Sequence, residues 1–132
     1  MSQIAKGTFD IVMIPPPPAG EGAGRLAVGR MLIDKQYSGA FTGVGQGEML
    51  SAGNPAAGSA GYVAIEHVTG TLGKLSGSFA LQHAGVMHDG DSQLAISIVP
   101  GSGTGDLHAI AGTLKIEMVE RQHFYELAYT LA

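Results

Sequence analysis

Glu66 and His83 are ionisable residues in the middle of segments that are otherwise mostly apolar. In an extended chain Glu66 shares a face with Tyr62, and His83 shares a face with Phe79, because side chains alternate with period two. Burial and neighbouring charges shift the pKa of a carboxylate or an imidazole, which suits either group to hold a polar ligand atom or to move a proton. We therefore take both residues as candidates for chemistry.

The opposite faces of these two segments carry His67 and Gln82, so the alternation alone leaves open which face points inward. Glu48 is a further polar candidate, from a glycine-rich extended segment. A buried hydrogen-bonded pair that only fixes strand register would explain Glu66 and His83 equally well. The candidate ligand-binding residues are Glu48, Tyr62, Glu66, Phe79, Gln82, His83, Tyr125 and Tyr129.

His83, His88, Asp89 and Asp91 are close in sequence and are residue types that bind divalent metals. Their spacing matches no strong ligand pattern, and in a continuing strand the two histidine rings would lie on opposite faces. Asp89 and Asp91 flank a glycine, which is typical of a polar turn. We therefore predict a hairpin loop here and no metal site.

The glycine-rich run 101–105 resembles a dinucleotide-binding loop only as far as Asp106, which stands where the third glycine is required. Gly73 and Lys74 fail as a phosphate-binding loop, because Val68 replaces the upstream glycine and Leu75 replaces the Ser or Thr. A Gly-x-Ser-x-Gly nucleophile motif does not occur. We predict no cofactor, and a catalytic residue cannot be assigned from these motifs.

The composition excludes further classes of protein. A chain of 132 residues is expected to form a single domain, 1–132, around one core. A net charge of -4 with 7 scattered Lys and Arg argues against nucleic-acid and anionic-membrane partners. The absence of cysteine excludes disulfides, thiolate metal sites and cysteine nucleophiles. Glycine is in excess, with 21 residues.

The N-terminal residues lack the charged and apolar regions of a signal peptide, and the apolar run 11–14 is far shorter than the roughly 20 residues of a spanning helix. We therefore expect a cytoplasmic protein.

Four consecutive prolines, 15–18, follow the apolar run 11–14. They are interpreted as a stiff connection between strands, with a docking ligand for a proline-binding module as the alternative.

Period-two alternation between turn-forming residues predicts eight strands, and glycine every second residue at 43, 45 and 47 is compatible with the tight coiling of a barrel. The segment 113–132 contains no Gly or Pro and leaves a helix open, but its alternation favours two strands joined by 119–122. The pattern indicates an antiparallel barrel or sandwich. The strands are predicted around Phe9 and at 25–34, 40–50, 61–72, 76–84, 93–99, 107–118 and 124–131.

Several motifs in order resemble a family of small bacterial proteins of unknown function, whose known folds are barrels like that of allene oxide cyclase. The resemblance covers the chain from Gly7 and implies an all-β, closed eight-stranded antiparallel β-barrel of mostly up-and-down connectivity. It also implies a structural role for the loop 100–106 and self-association into a homo-oligomer. The chain departs from the expected Gly- or Asp-bearing turn at 120–123. The motifs are YVAIE at 62–66, TGTL at 69–72, GSFALQH at 77–83, VPGSGTGDL at 99–107 and YELAYTL at 125–131.

Three functions are consistent with such a barrel. The leading hypothesis is a protein that binds a small, largely apolar molecule in the barrel interior, where a few polar groups would orient it. The second is an isomerase or cyclase in which Glu66 or His83 moves a proton. The third is a structural or assembly protein whose barrel is filled by side chains. Whether the interior contains a cavity is the observation that separates the third from the other two.

Overall fold

The structure of the chain is a computed structural model that describes residues 2–14 and 29–131. The proline run 15–18 and the first part of the strand predicted at 25–34 lie outside the described residues. Within them the strands are β1 (Gln3–Ile14), β2 (Gly29–Gly39), β3 (Phe41–Asn54), β4 (Ser59–Leu72), β5 (Leu75–His88), β6 (Asp91–Ile98), β7 (Thr104–Gly105), β8 (Ala111–Val119) and β9 (Gln122–Thr130).

The eight long strands form a closed antiparallel barrel. They are hydrogen-bonded in the order β4, β3, β2, β1, β9, β8, β6, β5, and the pairing of β4 with β5 closes the ring. Apart from β1 and β9, the first and last strands of the chain, neighbours in the barrel follow each other along the chain. β7 adds only a short pairing to β5 beyond the end of β6. The predicted fold class is therefore confirmed, with up-and-down connectivity.

No α-helix occurs in the described part of the chain, where a single 3-10 turn at Pro55–Ala57 is the one helical element. The helix left open for 113–132 is not formed in the described part of that segment, 113–131, because β8 and β9 pair as a hairpin from Ala111 with Thr130 to Val119 with Gln122. Among the described residues, no helix has the length and apolar character needed to cross a membrane.

Four predicted strand boundaries are wrong by four residues or more. β3 and β5 continue past their predicted ends at 50 and 84 to Asn54 and His88. β2 does not end at Asp34 but continues to Gly39, because Lys35 faces the interior as a paired ion and not the solvent. β8 starts at Ala111 and not at Leu107. Leu107 is fully buried in the loop before β8 and packs into the apolar core.

The polar side chains of the loop between β6 and β8 stabilise the edge of β5. Ser102 Oγ accepts a hydrogen bond from the backbone N–H of Ala80 at 3.0 Å, and Asp106 Oδ2 accepts one from the N–H of Ser76 at 3.1 Å. The backbone N–H groups that this part of β5 would otherwise expose are thereby satisfied. This loop has a structural role, as the family resemblance implied.

The β8–β9 hairpin uses an unusual turn. Glu120 and Arg121 both have positive φ, 49° and 70°, as the two central residues of a type I′ turn do. Asp89 and Gly90 have the same signs in the β5–β6 hairpin, where the predicted polar turn is confirmed. A side chain in this region is strained, so Arg121 occupies a position that glycine fits better.

We expect Arg121→Gly to raise the free energy of unfolding by roughly 0.5 to 1 kcal/mol, because relief of the positive φ outweighs the added chain entropy of glycine. Gly90→Ala is the matched reverse change, since Gly90 has a φ of 85° and an added Cβ there contacts nothing within 4 Å. Gly90→Ala should lower the free energy of unfolding by a similar amount. Urea denaturation measures both, and a destabilised Arg121→Gly variant would contradict the assignment of strain.

Candidate functional site

Glu66 lies in the centre of the barrel with an exposed fraction of 0% and receives three side-chain hydrogen bonds. Its Oε1 accepts from Lys35 Nζ at 2.9 Å and from His83 Nε2 at 3.0 Å. Its Oε2 accepts from the hydroxyl of Tyr37. Lys35 and His83 are each only 4% exposed. We call Lys35, Tyr37, Glu66 and His83 the central network.

The central network holds Glu66 as a carboxylate. Burial raises the pKa of Glu66, but the hydrogen bond from His83, the charge of Lys35 and the hydrogen bonds from Tyr37 and Lys35 together leave it below its ordinary value. Tyr37 stays protonated, because burial and the neighbouring Glu66 charge raise the pKa of its hydroxyl. A buried ion pair with its hydrogen bonds complete is stable where an unpaired charge would not be.

Gly45 provides the space that the carboxylate of Glu66 occupies. It lies on β3, between Lys35 on β2 and Val68 on β4 in the register of the sheet. A Cβ added to Gly45 would lie 2.1 Å from Glu66 Oε2, so any side chain at this position would displace the carboxylate. Glycine is needed here for a close approach and not for a positive φ.

A cavity of about 240 Å³ opens above the central network, toward the barrel end formed by the C-terminal part of β1 and the N-terminal part of β2. Lys35 and His83 form its polar floor, and Tyr62 lies at its rim, where a second cavity of about 330 Å³ continues along β3 to β6. The remaining lining residues are Phe9, Ile11, Met13, Ile33, Met49, Ala64, Leu94, Ile116 and His123.

His83 presents its second ring nitrogen to this cavity. The ring bonds Glu66 through Nε2, and Nδ1 has no hydrogen-bond partner among the described residues. In the same residues no buried side-chain nitrogen or oxygen is left without a partner, so Nδ1 is accessible from the cavity that His83 lines. Because an ionised carboxylate only accepts, Nε2 carries a proton and Nδ1 of the neutral ring is a free acceptor.

Lys35 also faces the cavity with unused donors. Its Nζ lies 4.9 Å from the centroid of the Phe9 ring, a cation–π arrangement that supports a cation in an apolar wall. One of its three N–H groups is directed to Glu66. His123 stacks on the Phe9 ring, with its ring centroid 4.9 Å from that of Phe9, and lines the same cavity.

The structure brings together three of the residues predicted from the sequence. Glu66 and His83 are hydrogen-bonded, and Tyr62 closes over the same cavity. The face that carries Tyr62 and Glu66 and the face that carries Phe79 and His83 both point inward. Glu66 and His83 therefore both lie inside the barrel. His67, on the alternative face, is exposed.

Phe79, Tyr125 and Tyr129 do not line this cavity, which corrects the expectation that they contact a ligand there. All three are part of the apolar core in the other half of the barrel. The hydroxyl of Tyr125 donates to the backbone carbonyl of Phe41 at 2.8 Å and accepts from its N–H at the same distance, so it anchors the β2–β3 connection. These residues are structural.

Glu48 and Gln82 lie on the outside of the barrel, which corrects the expectation that they face a ligand. Glu48 is paired in register with Leu32 and Ile65, and all three point away from the interior. Its carboxylate forms a surface ion pair with Arg30 at 3.0 Å. Gln82 alternates with the buried Leu81 and His83 and is therefore exposed.

Lys35 and Tyr37 are the site residues that the sequence analysis missed. The predicted strand ended at Asp34, so the period-two face that joins Ile33, Lys35 and Tyr37 was not considered. That alternation was the available signal. A lysine between polar neighbours is ordinarily a surface residue, and its carboxylate partner is 31 positions away in the sequence.

No metal site is evident in the described part of the chain, where no three His, Asp or Glu side chains come together. His88 and Asp89 form an exposed pair at 3.3 Å in the β5–β6 turn, away from His83. The polar groups at the cavity floor are a cation, Lys35, and one imidazole, His83, whereas the carboxylate of Glu66 is bonded to three donors and has no exposed surface. This set favours a ligand with a hydrogen-bond acceptor.

Comparison with known proteins identifies relatives whose function is also unknown. Residues 5–129 match a family described as "Protein of unknown function (DUF3224)". A crystal structure of a DUF3224 protein of unknown function from Shewanella oneidensis MR-1 superposes with a TM-score of 0.89 at 42% sequence identity, covering 100% of this chain and 98% of that chain. No curated protein is significantly similar. The predicted family resemblance is confirmed.

We expect Gly45→Ala to lower the free energy of unfolding by about 1 to 3 kcal/mol, because the added methyl group displaces the Glu66 carboxylate from its donors. Gly61→Ala is the matched control, since an added Cβ at Gly61 lies no closer than 3.7 Å to its nearest neighbour. It should be neutral or slightly stabilising. Equal effects of the two variants in urea denaturation would show that Gly45 is not reserved for the carboxylate.

The lowered pKa of Glu66 makes stability dependent on pH. A carboxylate with a depressed folded pKa stabilises the fold above its unfolded value of 4.5, and this contribution is lost as the pH falls through the lower folded pKa. Wild type should therefore lose stability in acid. In Glu66→Gln this contribution to the loss of stability in acid should be absent. The free energy of unfolding of this variant at neutral pH should be lower by about 3 to 5 kcal/mol, because the charge of Lys35 is then unpaired.

Glu48→Gln is the control for this measurement, because its surface pair with Arg30 should contribute less than about 1 kcal/mol. Chemical denaturation of the three proteins between about pH 7 and pH 2 separates the effects. A Glu66→Gln variant as stable as wild type at neutral pH, with the same acid profile, would contradict the central network. Loss of the folded state in Glu66→Gln is the extreme form of the expected result.

Proposed function

The chain belongs to the DUF3224 family of proteins of unknown function, and from the geometry of its barrel we propose that it binds a small, mostly apolar molecule in the interior cavity. The observation that carries the proposal is an apolar cavity of about 240 Å³ with two buried polar side chains, Lys35 and His83, at its floor. Pockets for small ligands have this character, with apolar walls and a few converging polar groups.

The volume of the cavity limits the size of the ligand. Drug-sized ligands occupy pockets of about 300 to 1,000 Å³, so this cavity suits something smaller. A water molecule takes roughly 30 Å³ in the liquid, and the cavity therefore accommodates on the order of eight non-hydrogen atoms. A longer ligand would extend past Tyr62 into the outer cavity, which shares Met49 and Leu94 with the inner one.

The charges at the floor favour a neutral ligand with one acceptor atom. Lys35 is balanced by Glu66, and a ligand carboxylate would place a second negative charge near the first. A carbonyl or ether oxygen accepts a hydrogen bond from Lys35 without this cost. Tyr62, at the rim, has its hydroxyl pKa raised by burial and is therefore also a neutral donor.

The seam between β6 and β8 is the proposed route of access. These strands pair only at Ile96 with Leu114 and Ser97 with Thr113, whereas β5 and β6 pair along eight positions. Leu94 and Ile116 lie beyond the paired positions, on opposite sides of the seam, and both line the cavity. A short seam opens at lower free energy than a long ladder, so a ligand would pass here.

The cavity counts against the third hypothesis, a structural protein whose barrel is filled by side chains.

The expected homo-oligomer stays a prediction that sedimentation of the purified chain would measure. The face best suited to a second copy is the outer surface of β3 to β5, where large apolar side chains are exposed. These residues are Leu50, Val63, Ile65 and Val86.

Ala64→Leu tests the cavity, because its added atoms would occupy the space beside the network. Ala64 is buried and lines the cavity, whereas Ala84 on the neighbouring strand is exposed on the outer face. We expect Ala64→Leu to weaken binding about tenfold or more and Ala84→Leu to bind as wild type does. The probes are cyclohexanone, cyclohexanol and cyclohexane, measured by thermal shift and ligand-observed NMR.

Ketone and alcohol should bind wild type with dissociation constants between about micromolar and millimolar values, more tightly than the hydrocarbon. Binding that is unchanged in Ala64→Leu would place the ligand elsewhere on the protein. An absence of binding by all three probes to wild type would overturn the proposal, because each fits the volume of the cavity.

A further inference from the structure

We propose that His83 is a general base that transfers a proton within a small carbonyl compound, and that Lys35 binds the carbonyl oxygen of this substrate. The inference rests on the proposed binding function and adds a reaction to it. Two observations support it. Lys35 and His83 both donate a hydrogen bond to Glu66 Oε1. The free Nδ1 of His83 and the unused N–H groups of Lys35 face the same apolar cavity.

Glu66 determines which nitrogen of His83 acts as the base. Its Oε1 accepts from Nε2 at 3.0 Å, which leaves the lone pair on Nδ1 directed away from Glu66 and accessible from the cavity. When Nδ1 takes a proton, the carboxylate balances the charge of the imidazolium through the same hydrogen bond. Glu66 is therefore a positioning residue and His83 the catalytic one.

The geometry excludes the other two ionisable members of the central network from proton transfer to a ligand. Both oxygens of Glu66 are bonded to donors, and its side chain has no exposed surface. The hydroxyl of Tyr37 is directed at Glu66, and its ring packs among Phe9, Phe41 and Tyr125. Of the two proton carriers considered from the sequence, Glu66 and His83, only His83 reaches the cavity.

Lys35 supplies the electrophilic partner that such a reaction needs. A proton on the carbon next to a carbonyl becomes removable when the developing enolate oxygen is stabilised by a donor. Lys35 Nζ lies beside the Phe9 ring at the cavity wall, and the residue is only 4% exposed, so its charge is weakly screened and acts strongly as a donor. Base and donor both contact Glu66 Oε1 and are thus adjacent at the floor.

The proposed reaction is the isomerisation of a β,γ-unsaturated ketone to its conjugated form. His83 Nδ1 takes the proton from the α carbon, and the electron pair of that C–H bond forms the dienolate, whose oxygen accepts from Lys35. The imidazolium then returns the proton to the γ carbon, where a new C–H bond forms. Atoms and charge balance without an oxidant, a reductant or a cofactor.

The test uses cyclohex-3-enone as substrate and follows the absorbance of its product, cyclohex-2-enone. Exchange of the α protons of cyclohexanone in deuterium oxide, measured by NMR, reports the first step alone. We expect His83→Gln to slow both reactions about 100-fold, while its amide still donates to Glu66. His67→Gln is the matched control, because His67 is an exposed histidine on the adjacent strand.

The outcomes separate this inference from the binding function. Ketone binding to wild type without isomerisation or exchange overturns the reaction and leaves the binding proposal standing. Wild-type rates in His83→Gln, or a loss of activity in His123→Gln alone, also overturn it. An absence of ketone binding to wild type overturns the reaction, and an absence of binding by all three probes overturns both proposals. A selective loss in His83→Gln supports the assignment of the base.

A measurement on wild type keeps the inference testable if His83→Gln does not fold. Nitrogen-15 NMR of the histidine rings identifies which nitrogen carries the proton in the neutral state. We expect His83 to be protonated at Nε2, with Nδ1 free and perturbed when cyclohexanone is added. A proton on Nδ1, or an Nδ1 signal that does not respond to the bound ketone, would overturn the role of His83.

Discussion

A carboxylate at the centre of a barrel is stable only when donors surround it, because a buried charge without partners is very costly. Glu66 on β4 meets this condition through Lys35 and Tyr37 on β2 and His83 on β5. β3 lies between β2 and β4. Because Gly45 on β3 has no side chain, the side chains of β2 can reach Glu66 on β4. The central network therefore fixes the relative register of four neighbouring strands.

The central network also divides the barrel interior into two parts. On one side the chain packs aromatic and aliphatic residues around Tyr37, Phe41 and Tyr125, and the buried Leu107 adds to that end. On the other side the interior stays open as the cavity. Lys35 and His83 lie at the boundary, where their outer atoms meet the cavity and their inner atoms are held by Glu66. Their hydrogen bonds to Glu66 hold these side chains in place without a ligand, which is what the proposed binding function requires.

The architecture was predictable from the sequence to a large extent, because period-two alternation and glycine or aspartate turns are local signals. Eight long strands, the β5–β6 turn at Asp89 and the preference for two strands over a helix from residue 113 onward all followed from neighbouring residues. The strand ends were less accurate: the predicted second strand ended at Asp34 and left out Lys35. A charged side chain faces inward only when a partner lies beside it in the fold. That partner is often far away in the sequence, so no local pattern identifies it.

The sequence by itself determined an all-β barrel, its family and the presence of Glu66 and His83 at interior candidate positions. Only the tertiary structure decided which of the eight candidate residues meet: it joined Glu66 to His83, added Lys35 and Tyr37, placed Phe79 in the packed core and put Glu48 outside. The physical reason is that alternation assigns each residue to one of two faces of its own strand. Which face is inward, and what lies opposite it, depends on pairings between strands far apart in the chain.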